Sequence, residues 1–326
     1  MTGQMNFTSR MAALHGALWS FDRAYRLAWH VSPASAALLI CGWILFWTPD
    51  AGTSSATPWG KPSPAGALRS AGTEPDYSVW PEPLRNDVRT CMTGSDRNIK
   101  IETCSRLIGS GQLNGWQLAS IYTLRGIHYG DKQPDLALAD YDSALKYRPN
   151  TPEIFVNRGK IYLNRDQADA AVTEMSKAIA LWTPALAANA RISRALAYFM
   201  LADYDKATAD IDQAQRDGAD DPQLYMVRGS VYYAQRLYGD SARAFDEYCK
   251  RRPQDPVGFV GRGVALEADT KFEKAVLSYE TAIILGSTDT LATEGRERAR
   301  RRQTCDKGAC LNLMKTPGWW DTVGRH

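Results

Sequence analysis

The chain has 326 residues, 44% of them apolar and 23% charged, the balance of an ordinary globular protein with room for one large or two ordinary domains. Its 39 basic and 36 acidic residues leave a net charge of +3, which excludes a molecule-wide electrostatic match to nucleic acid and leaves only local patches. The histidines at 15, 30, 128 and 326 never fall at ligand spacing with a cysteine or carboxylate, so no metal site is expected.

In chain order, Phe7, Met11, Leu14, Leu18, Phe21 and Tyr25 follow at intervals of 4, 3, 4, 3 and 4. That stripe predicts an amphipathic helix within residues 1–28, lying on a membrane surface or paired with a second helix. From Val31 to Trp47 no residue is charged, and extension back to Leu27 makes 21 residues, enough to cross a hydrocarbon core of about 30 Å. A membrane span is expected over residues 29–48, with Trp29, Trp43 and Trp47 at the interfaces. A cleaved signal peptide competes with it, using Ser54-Ser55-Ala56 as the cleavage site, although thirty residues ahead of the apolar run is long for a signal. Arg10, Arg23 and Arg26 precede the span, and no basic residue follows it until Lys61. This asymmetry puts the N-terminus in the cytoplasm and the bulk of the chain in the bacterial periplasm. Residues 49–88 read as a Pro/Gly/Ser-rich linker, since residues 49–83 hold seven of the sixteen prolines; Trp59 and Trp80 are expected to pack locally.

A repeat then begins. Arg125-Gly126, Arg158-Gly159, Arg194-Ala195, Arg228-Gly229 and Arg262-Gly263 place a small residue at periods of 33, 36, 34 and 34. Three residues later come Tyr129, Tyr162, Tyr198, Tyr232 and Leu266. A second small position follows at Ala137, Ala171, Ala207, Ser241 and Ala275, then a large apolar one at Tyr141, Met175, Ile211, Phe245 and Tyr279, then Ala144, Ala178, Ala214, Tyr248 and Ala282. Over residues 119–288 this pattern resembles the tetratricopeptide repeat family, in its bacterial membrane-anchored periplasmic form. The resemblance implies an all-α solenoid of five repeats, each a pair of antiparallel helices, with the first helices lining a concave groove. Residues 89–118 read as a degenerate opening repeat, with Ile101, Cys104 and Ile108 on its second helix. A capping helix follows at 289–304 and an apolar tail at 305–326. Glycine at Gly159 and Gly229 lets paired helices approach, and a large residue there is expected to damage the stack.

The groove positions implied by the family are mostly apolar: Val156, Ile192, Leu196, Phe199, Met200, Met226, Tyr233 and Val260. An apolar helix or extended peptide is therefore the expected ligand. Asn157, Lys160 and Asn164 approach the lysine–asparagine set with which some members hold a terminal carboxylate. Leu311, Leu313, Met314, Trp319 and Trp320 are too apolar to stand in water, so the tail is expected to dock on the repeats or on another protein. Arg125, Arg158, Arg194, Arg228 and Arg262 face acids on each second helix, at Asp140 or Asp142, Glu174, Asp210 or Asp212, Asp246 and Glu280, which predicts a structural arginine–carboxylate ladder.

In an oxidising compartment Cys91 with Cys104 and Cys305 with Cys310 are disulfide candidates, whereas Cys41 and Cys249 read as packing residues. Arg296, Arg298, Arg300, Arg301 and Arg302 form either the solvated face of the cap or a patch for anionic lipid or envelope polymer. No glycine-rich phosphate loop, nucleophile with a positioned base, or paired-acid motif stands out, so no catalysis, cofactor or small-molecule substrate is expected. The expected function is a periplasmic scaffold for protein–protein interaction. The alternatives are an accessory subunit of a larger membrane complex, in which the N-terminal segment meets a partner's membrane helix, and an adaptor regulating a cell-envelope enzyme.

Overall fold

A computed structural model describes residues 77–305 and 307–315, without the side chains of 307–309 and 313. The expected amphipathic helix, membrane span and most of the linker, with Trp319 and Trp320, lie outside the described residues. Among the described residues there are fourteen α-helices and no strand, and no helix is long and apolar enough to cross a membrane.

Helices α1 (Arg85–Thr93) and α2 (Arg97–Gly109) form an opening hairpin. Five more hairpins follow: α3 (Gly115–Tyr129) with α4 (Pro134–Tyr147), α5 (Pro152–Asn164) with α6 (Ala168–Leu181), and α7 (Pro184–Met200) with α8 (Tyr204–Arg216). The last two are α9 (Pro222–Ala234) with α10 (Tyr238–Arg251), and α11 (Pro256–Ala268) with α12 (Phe272–Ile284). Helix α13 (Thr290–Arg300) covers α11 and α12, and α14 (Lys307–Met314) completes the described chain. First helices also meet first helices, α5 on α7, α7 on α9 and α9 on α11.

Local chemistry marks these boundaries. Proline stands in the first turn of α4, α5, α7, α9 and α11, where its missing N–H is no loss. Asp203, Asp221, Asp255 and Asp289 cap helices through their carboxylates. The turn inside each repeat from the second to the fifth passes through a left-handed residue, Asp166, Ala202, Arg236 and Thr270, with φ of 58°, 60°, 63° and 59°.

Two boundaries differ from the sequence reading. The linker expected to run to residue 88 ends earlier, because Tyr77, Trp80, Leu84 and Val88 recur at helical spacing and are buried in the opening hairpin's core. Trp80 meets Trp116 edge-on at 5.3 Å between centroids, and Pro81 and Pro83 sit at a helical-turn start rather than in an extended tether. The opening unit is a complete two-helix hairpin, and α3 begins at Gly115, ahead of the expected repeat start at 119. Cys91 and Cys104 are fully buried and disulfide-bonded between α1 and α2, with a Cα–Cα distance of 5.2 Å.

The repeats are keyed by small-to-large contacts. A Cβ added at Gly126, Gly159, Gly229 or Gly263 would fall under 3 Å from Tyr141, Met175, Phe245 or Tyr279 respectively, so the large side chain of the second helix rests on bare backbone of the first.

Candidate binding face on the first helices

The repeated arginines tie the hairpins together. Arg125 Nε and Nη2 donate to both oxygens of Asp140 at 2.8 and 2.7 Å, and Nη1 donates to Ser105 Oγ on α2 at 2.9 Å. Arg194 does the same with Asp210, both at 2.7 Å, and Ser176 Oγ at 2.9 Å. The other three turn to the preceding repeat: Arg158 to Asp142 at 3.0 Å, Arg228 to Asp212 at 3.2 Å and Arg262 to Asp246 at 2.6 Å. Arg158 Nε also lies 3.4 Å from Glu174, as an ion contact without a hydrogen bond. Glu280 is not the partner of Arg262: Ser278 accepts from Arg262 Nε at 3.1 Å, and Glu280 pairs with Arg300 at 2.8 Å. The forked pairs of Arg125 and Arg194 lock the two helices of one hairpin and the single contacts of the other three link neighbouring hairpins, which fixes geometry more than it adds net stability.

Four of the five arginines in the basic cluster at and just after α13 are paired with carboxylates. Arg298 holds the fully buried Glu267 at 2.9 Å, Arg302 holds Glu273 at 2.8 Å, and Arg296 and Arg300 both reach Glu297 at 3.1 Å. Cys249 is buried on α10, and burial pushes its thiol up to about 12, which makes it a packing residue rather than a nucleophile. No group of three or more possible metal ligands occurs among the described residues.

The first-helix face divides into an open half and a closed half. The open half is a cleft of about 870 Å³ reaching from α2 to the start of α9. Of the sequence-predicted groove residues, Asn157, Lys160, Asn164, Leu196 and Met200 line it. Also on its walls, and missed by the sequence reading, are Arg97, Lys100, Lys132 and Arg252, with Ser193, Gln223 and the two aspartates Asp131 and Asp221. Asp131 is engaged by Asn164 Nδ2 at 2.7 Å and Asp221 caps α9 through Gln223 N at 2.9 Å. Arg97 donates to the carbonyls of His128 and Tyr129, the end of α3, where a cation suits the helix dipole. Among the described residues, Lys100, Lys132, Lys160 and Arg252 have no carboxylate within 4.0 Å. His128 Nε2 donates to the Cys91 carbonyl at 2.7 Å. Burial holds its imidazole below the ordinary value; that carbonyl opposes the shift, and Lys100 and Arg97 reinforce it. The cleft therefore joins these cations to apolar walls, Ile127, Ile161, Leu163, Leu196 and Met200 among them, so the expected apolar groove carries a positive charge that the sequence reading did not place there.

The other apolar groove positions lie in the closed part. Ile192, Phe199, Met226, Tyr233 and Val260 are each 3% exposed or less, and Val156 is half-buried. On α9, which carries Met226 and Tyr233, rests the tail helix α14. Cys310 and Met314, one helical turn apart, are fully buried in the same apolar cluster, with Leu311 partly buried beside them. Lys315 Nζ sits 5.6 Å from the centre of the Phe199 ring and 6.0 Å from that of Tyr204. Cys305 and Cys310 are disulfide-bonded, closing the turn that leads into α14. The side chain of Leu313 lies outside the described residues.

Comparison with known proteins agrees with this architecture. The family profile described as "Tetratricopeptide repeat" matches residues 128–185, 157–222 and 192–256. The human "Tetratricopeptide repeat protein 13" is 27% identical over 136 residues, a stretch that is 39% of this chain and 15% of the human protein. Among solved structures, PilW, described as a widely conserved type IV pilus biogenesis factor, aligns with a TM-score of 0.57 at 15% identity, covering 66% of this chain and 99% of that one. The Cut9–Hcn1 structure aligns at 0.55 with 12% identity, covering 73% of this chain and 46% of that one. PilF of Pseudomonas aeruginosa aligns at 0.53 with 12% identity, covering 66% and 95%. At these identities the likeness is one of fold.

Proposed function

Because this is a tetratricopeptide repeat protein, a family whose repeats mediate protein–protein interaction, we propose that it is a non-enzymatic scaffold that holds an extended acidic segment of a partner protein in the cleft between α2 and α9. The observation that carries this is Lys100, Lys132, Lys160 and Arg252 converging on one cleft, none of them within 4.0 Å of a carboxylate among the described residues, beside the amides of Asn157 and Gln223. Cations on low-dielectric walls focus their field into the cleft, and amides satisfy the backbone of an extended chain. The apolar floor of Leu196 and Met200 offers such a segment burial for an occasional apolar side chain.

We place the protein in the bacterial inner membrane, single-pass through residues 29–48, with a cytoplasmic N-terminus and periplasmic repeats. The arginines ahead of the apolar run support this reading, as do two cysteine pairs suited to an oxidising compartment. A reporter fused after residue 60 that is active in the cytoplasm and silent in the periplasm would refute that topology. The cleft itself is tested by the anisotropy of a labelled octaglutamate probe. Binding is expected to weaken steeply with salt, and to fall roughly tenfold or more in Lys160→Glu, as charge reversal in a complementary site requires. Equal uptake of an uncharged probe of the same length would refute the reading.

A further inference from the structure

The half of the first-helix face that is closed is closed by the chain itself. Helix α14 follows the cap of the fifth repeat, yet it rests on the first helix of the fourth, and Lys315 reaches Phe199 at the end of the first helix of the third. The seat is apolar, with Met226 and Tyr233 buried on α9, and the occupant presents Cys310 and Met314 on one side of a single helix. Eight residues of helix are too few to hold together in water, so α14 owes its form to this seat and to the covalent link at its start.

We propose that α14 is a built-in ligand for an amphipathic-helix docking surface on α9 and the end of α7, and that reduction of Cys305–Cys310 by a dithiol releases α14 and opens that surface to a partner's helix of the same apolar pattern. Cys305 is a half-buried residue and Cys310 a fully buried one, so Cys305 is the end of the bond that an attacking thiolate can approach. The Cys305–Cys310 bond breaks as the mixed disulfide forms, and Cys310 leaves as a thiolate that takes a proton from water. The reductant's second thiol then displaces Cys305, so two electrons and two protons pass to the protein and the dithiol becomes a disulfide. Once the ring is open, the undocked tail regains the freedom that the ring denied it, and the docked fraction falls. The inference does not depend on the acidic-segment reading, because Cys310, Met314, Met226 and Tyr233 do not line the cleft.

The test uses the full-length oxidised protein, Cys305→Ser and Met314→Glu, with a labelled peptide of residues 303–315 as probe. In the wild type the α14 amides are expected to be protected from hydrogen exchange and the peptide to find no site. In Cys305→Ser, with Cys91–Cys104 intact, protection of α14 is expected to fall by roughly 30-fold, the loop-closure entropy of so short a ring, and the peptide to bind saturably. Met314→Glu is expected to do the same with its disulfide formed, and unchanged protection of α3 to α6 reports that the repeats stay folded. Should Cys305→Ser fail to fold, the wild type treated with a dithiol takes its place. Equal protection of α14 with and without the Cys305–Cys310 bond would overturn the proposal. So would peptide uptake by the oxidised wild type, or its absence from both opened variants.

Discussion

An alanine at Gly263 and an alanine at Gly159 are the same substitution at the same repeat position, and they are expected to move stability in opposite directions. Each gains about 1 kcal/mol of helix propensity. At Gly263 the new Cβ falls 2.6 Å from Cε1, 2.8 Å from Cδ1 and 2.9 Å from Cζ of Tyr279. That ring is fully buried, its hydroxyl donates to Glu267 at 2.6 Å, and Gly295 of α13 presses on its other side, where a Cβ would stand 2.5 Å from Cζ. The ring has nowhere to go, so an overpacking cost of about 2–3 kcal/mol outweighs the propensity gain, leaving a loss of about 1–2 kcal/mol. At Gly159 the nearest atom is Met175 Cε at 2.7 Å, the free end of a flexible chain, with Cγ and Sδ at 3.3 Å. A rotamer change relieves that contact, so Gly159→Ala is expected to be neutral or stabilising by up to about 1 kcal/mol. The chain contains the comparison already: the third repeat carries Ala195 where its second helix offers the slimmer Ile211. At roughly 2–4 °C per kcal/mol for a domain of this size, circular dichroism melts should separate the two variants by several degrees. Equal destabilisation of both, or a Gly263→Ala protein as stable as the wild type, would refute the wedge argument.

Two further perturbations probe the ends of the repeat array and its turns. Above its ordinary value of 6.5 the His128 ring is neutral whether the chain is folded or not; below it the unfolded chain takes a proton that the buried ring resists. Stability should therefore fall as pH drops below 6.5, and His128→Gln should flatten that limb in urea titrations run across pH; an unchanged slope would count against the assignment. Thr270 holds a φ of 59° that suits glycine far better than a β-branched residue, so Thr270→Gly is expected to raise the melting midpoint by the equivalent of about 1 kcal/mol, whereas Thr270→Val should lower it.

The repeats were legible because small and large residues recur at a fixed distance along the chain, and such a pattern needs no knowledge of what folds beside it. The opening hairpin was less so. Pro81 and Pro83 made residues 77–88 look like tether, while Tyr77, Trp80, Leu84 and Val88 kept helical spacing underneath. The left-handed turn residues left no mark at all, since Asp166, Ala202, Arg236 and Thr270 share no chemistry. The arginine ladder was visible as a set of possible pairs, but the partner of each arginine was not. Carboxylates at Asp140 and Asp142, or Asp210 and Asp212, stand at both offsets, and the choice between own and preceding repeat depends on how hairpins stack.

The binding face shows where periodicity stops helping. A repeat pattern assigns each position an average environment, and on that basis Met226, Tyr233 and Val260 belonged to an open apolar groove. The cover over α9, which carries Met226 and Tyr233, comes from outside the repeat register, since α9 also supports α14, whose arrival no period encodes. The charge of the open half has the same origin. Arg97 and Lys100 come from a hairpin ahead of the repeats, Lys132 from the shortened first turn, and Arg252 from the end of α10, so no sequence window holds the cluster. In this solenoid the regular positions build the stack and supply Lys160 and Asn157 to the cleft, while the rest of its charge comes from the opening unit, the turn at Lys132 and the end of α10, where no period predicts it.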